Sequence, residues 1–199
     1  NYLSNEHSLE LPWNNSKDLK KIIEQLQGSI SQEAGEEVDN ALIESIKKLD
    51  QSKGVEVLEN ELNSIRINKL KLLKHDLSAL DDSIERLMAL GQKNYSPLTA
   101  RPSLDFEWYV SRALMVLNDS KNILPSYKVG DDGIPTGFRA NVPDIECLYE
   151  SFGMTVEVTL LAGRDQWYAE GQPVMQHHRD FENKIEVNEA YCLFVAPYI

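Results

Sequence analysis

Cysteine is scarce: the 199 residues contain two, Cys147 and Cys192. Each lies in an apolar, strand-like run (IECLY and YCLFVA), which reads as two buried thiols in a reducing compartment. A tetrahedral zinc site would need further ligands at close spacing, and none is there. No apolar run approaches the roughly 20 residues a membrane helix needs, so no membrane is expected among the partners. A positively charged leader followed by an apolar stretch is also missing, so no secretory signal is expected. Because residue 1 is Asn and not Met, the expectation is a segment of a longer polypeptide, whose start would carry any targeting signal. Basic residues are outnumbered, 20 Lys and Arg against 32 Asp and Glu, giving a net charge of −12. That argues against a simple nucleic-acid footprint. Two conditions remove the objection: a recognition surface outside the segment, or carboxylates that hold cations and so reverse the local charge logic.

What is present is ordinary globular material, with 42% hydrophobic and 26% charged residues, enough for one or two domains. The two halves differ in texture. Residues 1–15 are polar and irregular. Ser16 then looks like an N-cap for a helix carrying Leu19, Ile22, Ile23 and Leu26 at helical spacing, ending at Gly28. A second helix fits 33–50, on the stripe Val38, Leu42, Ile43 and Ile46, before a break at Ser52-Lys53-Gly54. A long third helix fits 55–91, with Gly91 as its stop. Nothing in residues 1–95 carries a catalytic constellation; His7 and His75 stand alone. This half reads as an all-helical linker or arm, equally describable as a plain helical bundle.

Residues 93–102 contain two prolines and read as a connector. Residues 96–199 then read as a mixed α/β domain. Ser103 caps a helix to about Leu117, with Phe106, Val110, Ala113, Leu114 and Leu117 on one face. Residues 126–138 read as a hairpin turning at Asp131-Asp132-Gly133, a turn that lacks the ligand series of a calcium loop. Two strands follow, 144–149 and 154–161. A helix begins at 164–171, Pro173 interrupts it, and another runs from Val174 to about Val187. Residues 191–197 form the continuous apolar run of a central strand. The chain stops two residues later, which leaves the expectation that the domain is truncated there.

Hydrolysing a phosphodiester calls for a metal that activates water and neutralises charge at phosphorus. Hard ions such as Mg²⁺ take carboxylate oxygens. Acids in costly positions are therefore informative. In MTVEVTLL, Met154, Val156, Val158 and Leu160 share one face, and Glu157 stands mid-strand on the other, expensive unless paired or bound to metal. Asp144 opens the preceding strand after Pro143, and a short hairpin would bring it to the same end of the sheet as Glu157. Glu170 belongs to the following helix, with Gln166 four residues earlier on the same face. Glu107 lies on the helix beginning near Ser103, between Phe106 and Trp108. Each acid also has a plain alternative: a turn residue at strand entry for Asp144, an edge-strand surface position for Glu157, solvated helix faces for Glu107 and Glu170. The combination carries the reading.

These residues resemble a known pattern. Pro143-Asp144-x-Glu146, then Glu157 in the segment EVT, then Gln166-x₃-Glu170-x-x-Pro173-Val174-x-x-His177, then the apolar YCLFVAP strand, are similar to the cleavage domain of AlwI-type restriction endonucleases. That group includes type IIS enzymes and the large subunits of heterodimeric nicking endonucleases. The Phe106-Glu107-Trp108 segment resembles the family's upstream acidic element. The resemblance covers about residues 100–199, with the preceding helices as a linker to a recognition domain. It implies a PD-(D/E)xK restriction-endonuclease-like core and metal-dependent cleavage of double-stranded DNA at a fixed distance from an asymmetric site. It further implies Mg²⁺, with Mn²⁺ as a substitute, in a prokaryotic cytoplasm. Carried over, Glu107, Asp144, Glu157 and Glu170 form the acidic set, with Asp144 and Glu157 as principal metal ligands. Gln166 and His177 match further motif positions and would contact phosphate or orient water. His177 and His178 also border the stripe Val174, Phe181 and Ile185, so a structural histidine is an equal reading.

Two departures stand out. The usual motif lysine, two positions after the Glu, is replaced by Thr159, which leaves Gln166 as the candidate substitute donor. Gln176 stands where relatives carry a basic residue before the matching histidine, with Arg164 and Arg179 nearby. A single such site cuts one strand, so cutting both requires a second protomer or a partner subunit. The competing readings are a non-catalytic helical interaction module with a degenerate nuclease fold, and a repair or structure-specific nuclease of the same class.

Overall fold

A computed structural model describes residues 16–35, 40–90, 92, 95–99, 101–117, 119–161, 163–187 and 189–196; the side chains of 16–19, 40, 51–52 and 163–170 also lie outside the description. The chain divides into two compact units, Asn1–Asn68 and Lys69–Ile199.

The first unit is helical: α1 (Ser16–Ala34), α2 (Asn40–Lys47) and α3 (Gln51–Leu70), the last reaching two residues past the division. Its core is Ile30, Ile46, Leu58 and Leu62, flanked by Ile23, Leu26, Leu42, Val57 and Ile65. Helix α1 runs through Gly28, where a stop was expected. It ends instead at Gly35, whose φ of 73° and N–H bond to Ser31 O make a left-handed cap. Gly54, expected as a break, lies inside α3. A Cβ there would sit 2.9 Å from Ile46 Cγ2, so this glycine serves the close packing of α3 on α2. Arg66 and Glu33 add a partly buried ion pair at 2.6 Å.

The single helix expected over 55–91 is two. After a 3₁₀ turn at Lys71–Leu73, His75 takes φ 60° and Asp76 caps α4 (Leu77–Ala89), accepting from Ser78 N and Ala79 N. The apolar spacing runs on across the break, but in α4 Leu77 and Ile84 are exposed and the buried residues are Ala79 and Ser83. The cap is what separates the two helices.

The second unit continues with α5 (Pro102–Leu117), β1 (Asn122–Pro125), β2 (Lys128–Val129), β3 (Pro135–Gly137), β4 (Ile145–Leu148), β5 (Phe152–Val158), α6 (Gly163–Lys184) and β6 (Glu189–Val195). The fold is therefore mixed α/β, as expected. A four-stranded sheet runs β1-β4-β5-β6, and β2 and β3 form the expected hairpin, with Gly133 at φ 79° in its turn. β1, β4 and β5 are antiparallel neighbours, while β5 and β6 are parallel, joined by the α6 crossover.

Three expectations change here. Helix α5 begins at Pro102, the favoured first position, and Ser103 lies inside its first turn. Helix α6 passes through Pro173 as one element, tolerating the lost hydrogen bond. β6 pairs only with β5 among the described residues and is an edge strand, with Tyr191 and Leu193 exposed. Cys192 is exposed for that reason, while Cys147 in β4 is buried as expected. No described helix is long and apolar enough to cross a membrane.

Candidate active site

Helix α5 is buried on every side from Leu104 to Ser111, because it lies against the sheet on one side and α4 on another. Its polar residues consequently need partners. Asp105, fully buried, accepts from Tyr95 Oη, Leu98 N, Thr99 N and Thr99 Oγ1, which pins the connector to the helix start. Ser111 Oγ lies 2.6 Å from Tyr127 Oη, and Trp108 packs edge-on against that ring. Glu107, 2% exposed, accepts from Ser126 Oγ at 2.9 Å and from the backbone N–H of Tyr127. The solvated-face alternative for Glu107 is thereby removed.

Sheet register supplies the other acids. Ile145 pairs with Val156, so Asp144, one position back, falls level with Glu157. The Asp144 carboxylate accepts from Val158 N at 2.7 Å. Glu157 stands on an interior strand, 5% exposed, and so is not an edge-strand surface residue. Its face of β5 meets α6. A Cβ on Gly153 would lie 2.7 Å from Phe181 and Ile185, Thr155 Oγ1 is 3.4 Å from His178 Nδ1, and His177 Nδ1 is 3.1 Å from Glu157 Oε1. Of the two histidines, then, His177 addresses the acid and His178 addresses a threonine.

Electrostatics link the three carboxyls. Burial pushes Glu107 up to about 9; the charge of Asp144 adds to the rise, hydrogen bonds from Ser126 and Tyr127 oppose it, and the charge of Glu157 adds a little more. Three acids from one helix and two adjacent strands thus feel one another in a water-poor place. Their hard oxygen donors suit a divalent cation, which would offset that repulsion. As they stand, no three His, Cys, Asp or Glu side chains among the described residues form a group that holds a metal ion.

Gln166 and Glu170 lie on the backbone of α6, but their side chains, like that of Arg164, are outside the described residues. Thr159 is buried just past β5. Its N–H donates to Val195 O and its hydroxyl accepts from Leu161 N. Gln176 is exposed and bonds Asp180 on its own helix, and Arg179 is exposed. Sequence reasoning passed over Ser126, Tyr127, Ser111 and Asp105. The one available signal was polar residues inside or beside apolar runs, which is also what an ordinary turn shows.

The whole chain, residues 2–199, matches the AlwI restriction endonuclease family. The chain belongs to the AlwI restriction endonuclease family. Its mixed sheet and helices have the restriction-endonuclease-like fold. Among solved structures, it is similar to the small subunit of the heterodimeric restriction endonuclease R.BspD6I, at 31% identity and a TM-score of 0.53. That match covers 60% of this AlwI-family chain and 60% of the small subunit, so the chain spans about three fifths of the relative's length. No curated protein sequence is significantly similar to it.

Proposed function

We propose that this chain is the catalytic part of a metal-dependent endodeoxyribonuclease of the PD-(D/E)xK class, a type IIS restriction enzyme or a site-specific nicking enzyme. The observation that carries the reading is the buried Glu107 carboxyl, raised first by that burial and then by the charge of Asp144, with Asp144 and Glu157 level on adjacent strands. A cluster of that kind is unfavourable unless a cation offsets it. Asp144 and Glu157 would hold Mg²⁺ or Mn²⁺, with Glu107 and Glu170 completing the set. The bound cation would supply water activation and neutralise charge on the scissile phosphate. The Val158 N–H keeps the Asp144 carboxylate turned toward β5, and His177 keeps that of Glu157 turned toward α6. Gln166 takes the donor role that lysine has in this class. A second copy or a partner subunit would cut the other strand; the similar solved protein is itself a subunit of a heterodimer. The work would take place in a prokaryotic cytoplasm.

Thr159 supports a second reading, a degenerate nuclease fold with no activity, since it stands where this class has lysine and its hydroxyl carries no positive charge. Cleavage of supercoiled plasmid with Mg²⁺ or Mn²⁺ decides between the two. The nuclease relaxes or linearises the plasmid, and Asp144→Ala and Glu157→Ala each abolish this. Open circles mark nicking and linear product marks double cutting. No cleavage with either metal, or cleavage unchanged in both variants, puts the degenerate fold in front.

A further inference from the structure

Ser126 follows β1 and is 4% exposed. Pro125 pairs with Ile145, so Ser126 lies level with Asp144, and its N–H donates to Asp144 O at 2.7 Å. Its own carbonyl accepts from Arg139 N at 3.1 Å. The backbone of Ser126 is thus held from both sides, by the strand that delivers Asp144 and by the chain leaving the β2–β3 hairpin. With the backbone so fixed, its hydroxyl points at helix α5 and donates to Glu107 Oε1 at 2.9 Å. One residue therefore ties the helix-borne acid to the strand-borne acid, through a backbone bond on one side and a hydroxyl bond on the other.

We infer that Ser126 is a positioning residue that sets the spacing of Glu107 against Asp144, and so the affinity of the acidic cluster for a divalent cation. The inference rests on the proposed nuclease reading. A hydroxyl serves where a methyl would not, because Glu107 is buried and its oxygens need donors. It also serves better than a lysine or arginine, whose charge would compete with the cation for the carboxylates. Partners that orient ligating carboxylates commonly set metal affinity by about 10–100-fold.

The test is calorimetric titration of Mn²⁺ into the protein and its variants without DNA, with melting temperatures measured in the absence of metal. Ser126→Ala is expected to weaken Mn²⁺ binding by about tenfold or more while still melting cooperatively. Ser126→Thr, which keeps the hydroxyl, restores most of the affinity. Should Ser126→Ala fail to fold, the near-isosteric Ser126→Cys replaces it, since a thiol is a weak donor, and the same loss is expected. Native-like Mn²⁺ affinity in a folded Ser126→Ala or Ser126→Cys, alongside loss of binding in Asp144→Ala, overturns the role of Ser126 and leaves the nuclease reading intact. Absence of Mn²⁺ binding by the unsubstituted protein overturns both.

Discussion

His177 Nδ1 lies 3.1 Å from Glu157 Oε1, so a residue of α6 meets an acid of β5 across the face where helix and sheet pack. The contact is sheltered: the side chains are 18% and 7% exposed. With its proton on Nδ1, the imidazole donates to the carboxylate and holds one of its rotamers.

His177→Ala removes that hold. Cleavage by the variant should need about 10–100-fold more Mn²⁺ for the half-maximal rate. Titration of plasmid cleavage against Mn²⁺ checks it. An unchanged metal requirement would mean that the contact does not orient Glu157.

Glu107 carries a pH signature. Its carboxyl ionises near pH 9 in the fold, against the ordinary carboxylate value of 4.5 when unfolded. Between those values the unfolded chain has released a proton that the folded chain keeps. Stability therefore falls as pH rises from about 4.5 to about 9, and the penalty is absent below that window. Glu107→Gln stays neutral at every pH and retains acceptors for Ser126 and Tyr127. It should melt higher than the native protein at pH 8, by an amount that shrinks toward zero near pH 4.5. A melting difference that does not vary with pH would show that the native carboxyl is not raised.

Mutating Asp105 tests the connector. Asp105→Asn turns an amide toward four donors, those of Tyr95, Leu98 and Thr99. Leaving buried donors unpaired costs on the order of 3 kcal/mol when the lost acceptor was charged. The urea midpoint should fall accordingly at unchanged slope, and protease cleavage within residues 95–99 should become faster. A midpoint equal to the native one would mean that the 95–99 connector contributes nothing to stability.

The placement of two candidate acids, Asp144 and Glu157, was legible because strand periodicity is rigid. Once MTVEVTLL was read as a strand, Glu157 had to oppose the apolar face, and the short turn after Leu148 had to bring Asp144 level with it. Helix boundaries were less legible. Gly28 and Gly54 look like stops, and Pro173 looks like a break, yet the helices run through all three, and at Gly54 close packing against Ile46 is what calls for the glycine. At Asp76 the reverse holds: a side-chain cap ends a periodicity that would otherwise have run on.

The sequence by itself determined the class of the fold, the family, and which acids deserved suspicion, since apolar spacing and motif order are local properties. Only the tertiary structure decided what surrounds them. Glu107 is buried because α5 is enclosed on every side, a fact no period of 3.6 residues reports. His177 and not His178 meets Glu157 because of the register between α6 and β5. The YCLFVA run lies on an edge because, among the described residues, β5 is its neighbour on one side alone. Burial, register and edge position are relations between distant segments, and these are set when the chain packs.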